Sequence, residues 1–400
     1  MVRSPEVRHP AAGIISHNLR LRNPRSKRKR GHRPETKSIT NDIMEALTKW
    51  IGSKVKFLDG ILPLVPGDFA RYYEPFVGGG SLFLSAHDCD KFIINDDCAE
   101  LMELYREAAR PTRFFLSHVR DISASWRNLT SVFREKKEPL VAIYKQFPEG
   151  KDFYYLDYIE TVNPVLRTIS YQEVFPQHYT GPDAFEMEKR FHFTQMKSQS
   201  KDRVFKTEEQ LEEYILTSLK MSLYSYYTEL YNSKKDMHPS LKRAILLFLL
   251  YFSTNGQFVY DRQGEFRPVY AGVGHNMKSL DSKIAQFNST AFCERMEKSE
   301  LHCLDFRDFF RRRHPQAGDF IMVDPPLGAM CKKVGNKIFS EQDLADLLIQ
   351  LKRSKAKWML LVKQADIVRP VAEFSENYFV TFVGPHQELA VITNYDTEKL

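Results

Sequence analysis

The sequence predicts an α/β protein, doubly wound around a mostly parallel sheet, with a mainly helical domain inserted into it. Three observations carry that prediction. Short apolar runs that end in acids or prolines alternate with amphipathic stretches near both ends of the chain, the β-α-β-α order of a parallel sheet. A glycine cluster, "GGG" at 78–80, falls between the first run and the helix after it. Between about 111 and 240 the alternation stops, and tyrosines, phenylalanines, lysines and arginines interleave with few glycines.

The elements follow in order. "SITNDIMEALTKW" (38–50) predicts a helix capped by Ser38, Thr40 or Asn41, with Ile43, Leu47 and Trp50 on its apolar face. "KVKFLDGILPLVP" (54–66) keeps helical spacing until its prolines. "RYYEPFVGGGSLFL" (71–84) reads as strand, turn and helix, "KFIINDD" (91–97) as a buried strand, and "CAELMELYREAAR" (98–110) as an amphipathic helix. "AILLFLLYF" (244–252) is a buried helix that runs into a hairpin around "DRQGEF". The α/β pattern resumes at "SELHCLDF" (299–306) and continues with the strand "DFIMVDPP". "SEQDLADLLIQLKRS" (340–354) is a helix whose Ser340 and Asp343 form a capping box. "KWMLLVKQ" (357–364) is a strand, and "FVTFVG" (379–384) with "LAVITNY" (389–395) an antiparallel pair.

Charge is unevenly distributed. Residues 1–40 hold eleven Lys/Arg against two Glu, a local +9 in a chain of net charge +7, so the body sums to −2. This tail, with almost no large apolar residues, is expected to be disordered and able to bind a nucleic-acid backbone by counterion release, or to act as a nuclear address in a eukaryote. "MEKRFHFTQMKSQSKDRVFK" (187–206) also reads as polar, basic and mobile. No apolar run reaches the ~20 residues of a membrane span. Five cysteines lie scattered without a CxxC pair or zinc spacing, so no metal is expected and the thiols read as reduced.

Two places carry chemistry. In "EPFVGGGS" glycines let a ligand approach the backbone, and the helix behind them offers free N–H groups. No Gly-Lys-Ser/Thr follows, which disfavours a triphosphate. The next strand ends in Asn95-Asp96-Asp97, where doubly wound folds hold a nucleoside ribose. In Asp324-Pro325-Pro326 the prolines have no N–H, so the backbone presents carbonyls beside a carboxylate. Such a cluster of acceptors suits an amino group that must donate two hydrogen bonds; a plain strand-ending turn would show the same tripeptide.

Taken together, "KWIGSK" (49–54), "YYEPFVGGGSLF" (72–83), "INDDCAELMELYR" (94–106), "NGQFVYDRQGEFRPVYAG" (255–272), "CLDF" (303–306) and "GDFIMVDPP" (318–326) resemble, in order, the Dam-like adenine-N6 DNA methyltransferases. The resemblance covers about 44–110 and 240–395. It implies the S-adenosylmethionine-dependent methyltransferase fold, S-adenosyl-L-methionine as cofactor, and duplex DNA with a flipped adenine as substrate. Trp50 and Lys54 then belong to a cofactor-proximal motif. Glu74, Pro75, Phe76, Gly78 and Gly80 form the turn under the methionine part, Asp96 holds the ribose, and Asp305 and Phe306 contact the adenine. Asp324, Pro325 and Pro326 hold the target amino group, with Leu327 beside them. Gln257, Phe258, Arg262 and Arg267 on the hairpin are expected to meet the duplex, Arg at guanine or phosphate and Phe258 as a wedge. The implied domains are a basic tail (1–40), a first core part that binds the cofactor (41–115), an inserted target-recognition domain with the hairpin (116–275), and a catalytic second core part (276–400). The protein would lie in the cytoplasm at the nucleoid in a bacterium or phage, and in the nucleus in a eukaryote.

Three departures from the family pattern stand out. The family's residue after Asp-Pro-Pro is normally aromatic and stacks on the flipped base, whereas here it is Leu327. Lys363-Gln364 replace a frequent Ser-Asn pair after the strand "KWMLLV". The loop 328–339 is poor in aromatics but holds Lys332, Lys333 and Lys337. Besides an adenine-specific DNA methyltransferase, an RNA methyltransferase and a DNA-binding subunit of weakened or lost activity stay open. Such a subunit would partner an active methyltransferase, whereas an active enzyme would work beside a restriction endonuclease in a modification system.

Overall fold

Residues 71–74, 91–95, 320–323, 357–363 and 389–393 are strands because apolar and aromatic side chains there can be buried on both faces of a sheet, and the less buried runs 299–302 and 379–383 pair along its two edges. The computed structural model describes residues 44–146, 155–176, 181–199, 205–233, 237–327 and 339–400. The tail 1–40 and Lys332, Lys333 and Lys337 lie outside the described residues. In chain order the strands are β1 (Arg71–Glu74), β2 (Lys91–Asn95), β3 (Ser299–His302), β4 (Phe320–Val323), β5 (Lys357–Lys363), β6 (Phe379–Val383) and β7 (Leu389–Thr393). They form one sheet of order β3-β2-β1-β4-β5-β7-β6. Pairs from β3 to β5 are parallel, and β7 runs antiparallel to both β5 and β6.

Alternation along each strand divides the core. Tyr72, Phe92, Ile94, Phe320, Met322 and Leu361 face one layer of side chains; Tyr73, Ile93, Ile321, Val323, Leu360 and Val362 face another. Helices Phe306–Arg313, Glu341–Arg353 and Arg369–Ser375 supply the second layer. Each such side chain sealed from water contributes roughly 1.5–3 kcal/mol, which is what holds the sheet between its layers. The capping box is present: Ser340 Oγ accepts from Asp343 N at 3.1 Å, and the Asp343 carboxylate accepts from Ser340 N at 2.7 Å.

Between β2 and β3 the chain is helical from Arg113 to Phe252 wherever a helix is described, the longest helices being Arg113–Glu135 and Glu208–Asn232. These helices share the first core layer with the sheet. Two expectations are corrected. Residues 44–50 form no helix. Leu47 N donates to Gly79 O at 2.8 Å, and Lys283 and Gln286 satisfy the carbonyls of Ala46 and Glu45. Tertiary partners thus outbid the helical hydrogen bonds that the spacing suggests. Residues 187–199, read as mobile, belong to helix Pro182–Gln199. Lys189 is buried there because its amine donates to the Leu166 and Ile169 carbonyls at 2.9 and 2.5 Å. Lys197 is buried likewise and donates to Tyr144 O at 2.7 Å. Their aliphatic stems pack while the charge meets main-chain acceptors.

The expected hairpin is looser than two strands. It has single bridges at Ser253 with Tyr270 and Tyr260 with Phe266, closed by an Asp261–Glu265 turn in which Asp261 N donates to Glu265 O at 2.9 Å.

Candidate active site

Strand order reverses between β1 and β4, so the connections leave their carboxyl ends in opposite directions and open a crevice there. The β1 exit supplies the floor. Gly78 and Gly80 have φ of +48° and +79°, which an L side chain rarely adopts. A Cβ on Gly78 would lie 2.5 Å from Trp50 Cδ1, and one on Gly80 would enter the Tyr105 hydroxyl. The bare glycine backbone thus makes room for Trp50 on one side and for Tyr105 on the other; the latter donates to Gly78 O at 3.0 Å.

Buried Asn95 fixes this floor to its neighbours. Its amide donates to Pro75 O at 3.0 Å and Leu304 O at 2.9 Å, and its oxygen accepts from Leu304 N at 2.9 Å. One side chain thereby ties the exits of β1, β2 and β3. Asp96 follows with one carboxylate oxygen on Gly78 N at 3.1 Å and the other on Cys98 N at 3.0 Å.

Across the crevice, Asp324 leaves β4 and accepts from Lys54 Nζ at 2.5 Å, while the same amine donates to Gly52 O at 2.7 Å. Lys54 is buried, with 5% of its surface exposed, and serves Asp324 as an internal counterion. Burial pushes the Asp324 carboxyl up from its usual range, and Lys54 and then Lys363 pull it back. Pro325 O accepts from Leu327 N at 2.8 Å, which uses one of that carbonyl's two lone pairs. Glu74 is almost fully buried and accepts from Tyr72 Oη at 2.6 Å. Burial raises its carboxyl well above the ordinary range against the pull of that hydrogen bond, with Asp324 and Asp96 adding repulsion.

These groups border one cavity of about 510 Å³. Trp50, Lys54, Glu74, Phe76, Gly78, Asp96, Gln257, Phe258, Asp324, Pro325, Pro326 and Leu327 line it, all of them candidates from the sequence. Pro75 and Gly80 lie one step behind the wall, as the acceptor for Asn95 and as the residue before helix Ser81–Ser85. Phe306 is buried behind Phe76, ring centroids 5.5 Å apart. Asp305 caps its helix by accepting from Arg307 N at 2.9 Å.

On the hairpin, half-buried Phe258 packs against Trp50 and Phe266 at 5.6 and 5.2 Å and forms part of the cavity wall. Arg267 is held by Asp261 at 3.1 Å and by Glu229 and Glu265, which neutralise it in place. Arg262 is exposed at the turn. The sequence reading did not single out Tyr260, Asp366 or Lys363 as cavity residues, although all three border it. For Lys363 the signal was present, as a replaced residue at a strand's carboxyl end.

A site at the carboxyl ends of β1, β2 and β4, with a glycine floor and an Asp-Pro-Pro rim, invites comparison with known proteins. A family model described as D12 class N6 adenine-specific DNA methyltransferase matches residues 50–215. Over those residues the chain is similar to the D12 methyltransferases. The D12 match starts at Trp50, takes in the glycine floor and Asp96, and stops before β4. Among similar proteins, the Type II methyltransferase M1.LlaDCHI of Lactococcus lactis subsp. cremoris is 39% identical over 64 residues, 16% of this chain and 22% of that protein. The DNA adenine methylase of Escherichia coli K12 is 30% identical over 112 residues, 28% of this chain and 40% of that protein. That of Serratia marcescens is 32% identical over 113 residues, 28% and 41% of the two chains. The chain thus spans less than half the length of the proteins it matches. Among the described residues no helix is long and apolar enough to cross a membrane.

Proposed function

We propose that the protein transfers a methyl group from S-adenosyl-L-methionine to the exocyclic amino group of adenine in DNA. One observation carries the reading. A single cavity has a glycine floor with carboxylates at one end and the Asp324-Pro325-Pro326 acceptors at the other. Five acids and two lysines line it, Glu74, Asp96, Asp97, Asp324 and Asp366 against Lys54 and Lys363. Such an excess of carboxyl groups suits a cofactor carrying a sulfonium and an ammonium, and the bare glycines leave the space such a molecule needs. S-adenosylmethionine supplies the electrophilic methyl.

In this reading Glu74 faces the ammonium and Asp96 the ribose hydroxyls, with Trp50 and Phe76 packing beside them. Asp305 and Phe306 shape the adenine end through Phe76. Asp324 accepts one N–H of the target amine, and the free lone pair of Pro325 O accepts the other. The two bonds aim the nitrogen lone pair and hold it still, so that much of the acceleration is positioning. Lys54 keeps Asp324 anionic as charge grows on the amine. The base must leave the duplex to reach this acceptor. The helices from 116 onward and the hairpin at Gln257 and Arg262 then take the recognition role, between core parts 41–115 and 276–400.

Leu327 is the weak point of the base end. It packs against the second core layer and offers no π-face. Base–aromatic stacking is worth about 1–3 kcal/mol, so Leu327→Tyr is expected to raise methylation of duplex DNA about 10- to 100-fold. The measurement is tritium transfer from labelled cofactor into adenine, wild type beside the variant. Label from the tyrosine variant alone would favour a weakened chain working with an active methyltransferase subunit. Label in RNA and not in DNA would move the substrate. No label from either protein, with DNA and RNA both offered, would sink the proposal.

A further inference from the structure

The cavity of the candidate site has a neighbour of about 1000 Å³. The two share the wall Trp50–Ser53 and one further side chain, Lys363. Lys363 ends β5, three residues past Leu360, whose register partner in β4 is Val323. Three residues past Val323 comes Pro326, so Lys363 and the Asp-Pro-Pro rim leave adjacent parallel strands at the same height.

Four lysines border the second cavity, and three are engaged. Lys49 donates to Ser253 O at 2.7 Å and lies 2.6 Å from His275 Nε2. Lys56 pairs with Glu388 at 3.6 Å. Lys283 is buried, paired with Glu45 at 2.9 Å and bonded to Ala46 O. Lys363 is exposed, and its ammonium makes no hydrogen bond or ion pair among the described residues. Asp324, on which its charge acts, is already taken by Lys54. A free ammonium at the junction of two cavities, one of which takes a neutral base, is placed for the anion that such a base carries on its strand.

We propose that Lys363 holds the backbone phosphate flanking the target nucleotide, and that the second cavity takes the sugar-phosphate beyond it. The inference rests on the reading of the site as a DNA methyltransferase. It also gives the Lys363-Gln364 departure a function. A base end that lacks an aromatic at Leu327 keeps its nucleotide by charge on the phosphate rather than by stacking on the base.

The test is a salt titration of the full chain binding a fluorescent duplex, with bound cofactor. One phosphate contact contributes about 0.9 to the slope of log affinity against log salt. Lys363→Gln is expected to lower that slope by about one, while Lys363→Arg keeps the wild-type slope. An unchanged slope in Lys363→Gln overturns the inference. So does a shift in the pH profile of methylation without a change in slope, which would make Lys363 a partner of Asp324 alone. In both of those cases the wild type still binds and methylates DNA, and the reading of the site survives. A wild type that binds no DNA removes the reading and the inference together.

Discussion

Replacing Asp324 by alanine is expected to lower methyl transfer by about a thousand-fold or more, the scale of losing a preorganised electrostatic group. The same change should destabilise the protein. The side chains of Lys54 and Asp324 are 6% and 19% exposed, and breaking a buried pair from one side costs about 3–5 kcal/mol because the remaining charge stays desolvated. The two losses are separable. In the double variant Lys54→Met with Asp324→Ala the orphaned cation is gone, so urea stability is expected to recover most of the way while turnover does not. Asp324→Asn keeps an acceptor oxygen but cannot balance Lys54, and should lose both activity and stability. Methylation by Asp324→Ala within ten-fold of wild type would show that the aspartate does not hold the target amine.

Glu74→Gln is expected to stabilise the ligand-free protein and weaken cofactor binding. Buried Glu74 binds its proton more tightly in the folded chain than its ordinary value of 4.5. Above that value the unfolded chain has lost the proton while the folded chain retains it. Stability therefore falls as pH rises, until the folded carboxyl also ionises. Each pH unit inside this window costs up to about 1.4 kcal/mol. The glutamine variant has no such dependence, so its advantage over wild type in thermal unfolding should be absent near pH 4.5 and grow as pH rises above it while the folded carboxyl keeps its proton. Its cofactor affinity should drop about ten-fold or more, since a hydrogen bond to a charged partner is worth about 1.5–3 kcal/mol. Equal stability of the two proteins at pH 8 would mean that Glu74 is solvated in the folded chain.

Much of the fold was legible because the strands are written as short apolar runs. "KFIIN" and "FIMV" admit little else once acids or prolines close them, and "KWMLLV" is an apolar run of strand length. The glycine floor was legible for a related reason, since three glycines between a strand and a helix mark a backbone that something must approach. What the sequence concealed are lysines. Lys54, Lys189, Lys197 and Lys283 are all buried, and each draws on carbonyls or acids distant in the chain, which no local pattern announces. The non-helical course of 44–50 was hidden likewise, because its main-chain partners Gly79 and Lys283 lie 32 or more residues away. Arg267 shows the converse. A basic residue on a turn suggests a ligand, but acids at 229, 261 and 265 already surround it.

The chain contains three tryptophans. Trp126 and Trp358 are each 1% exposed, sealed in the two core layers. Trp50 alone borders the cavity, half-buried against the glycine floor and the Phe258 ring. The indole emission of the native protein is therefore two constant lamps and one that responds to whatever enters the crevice. The molecule carries its own optical reporter of occupancy, and no dye need be attached to follow a ligand in.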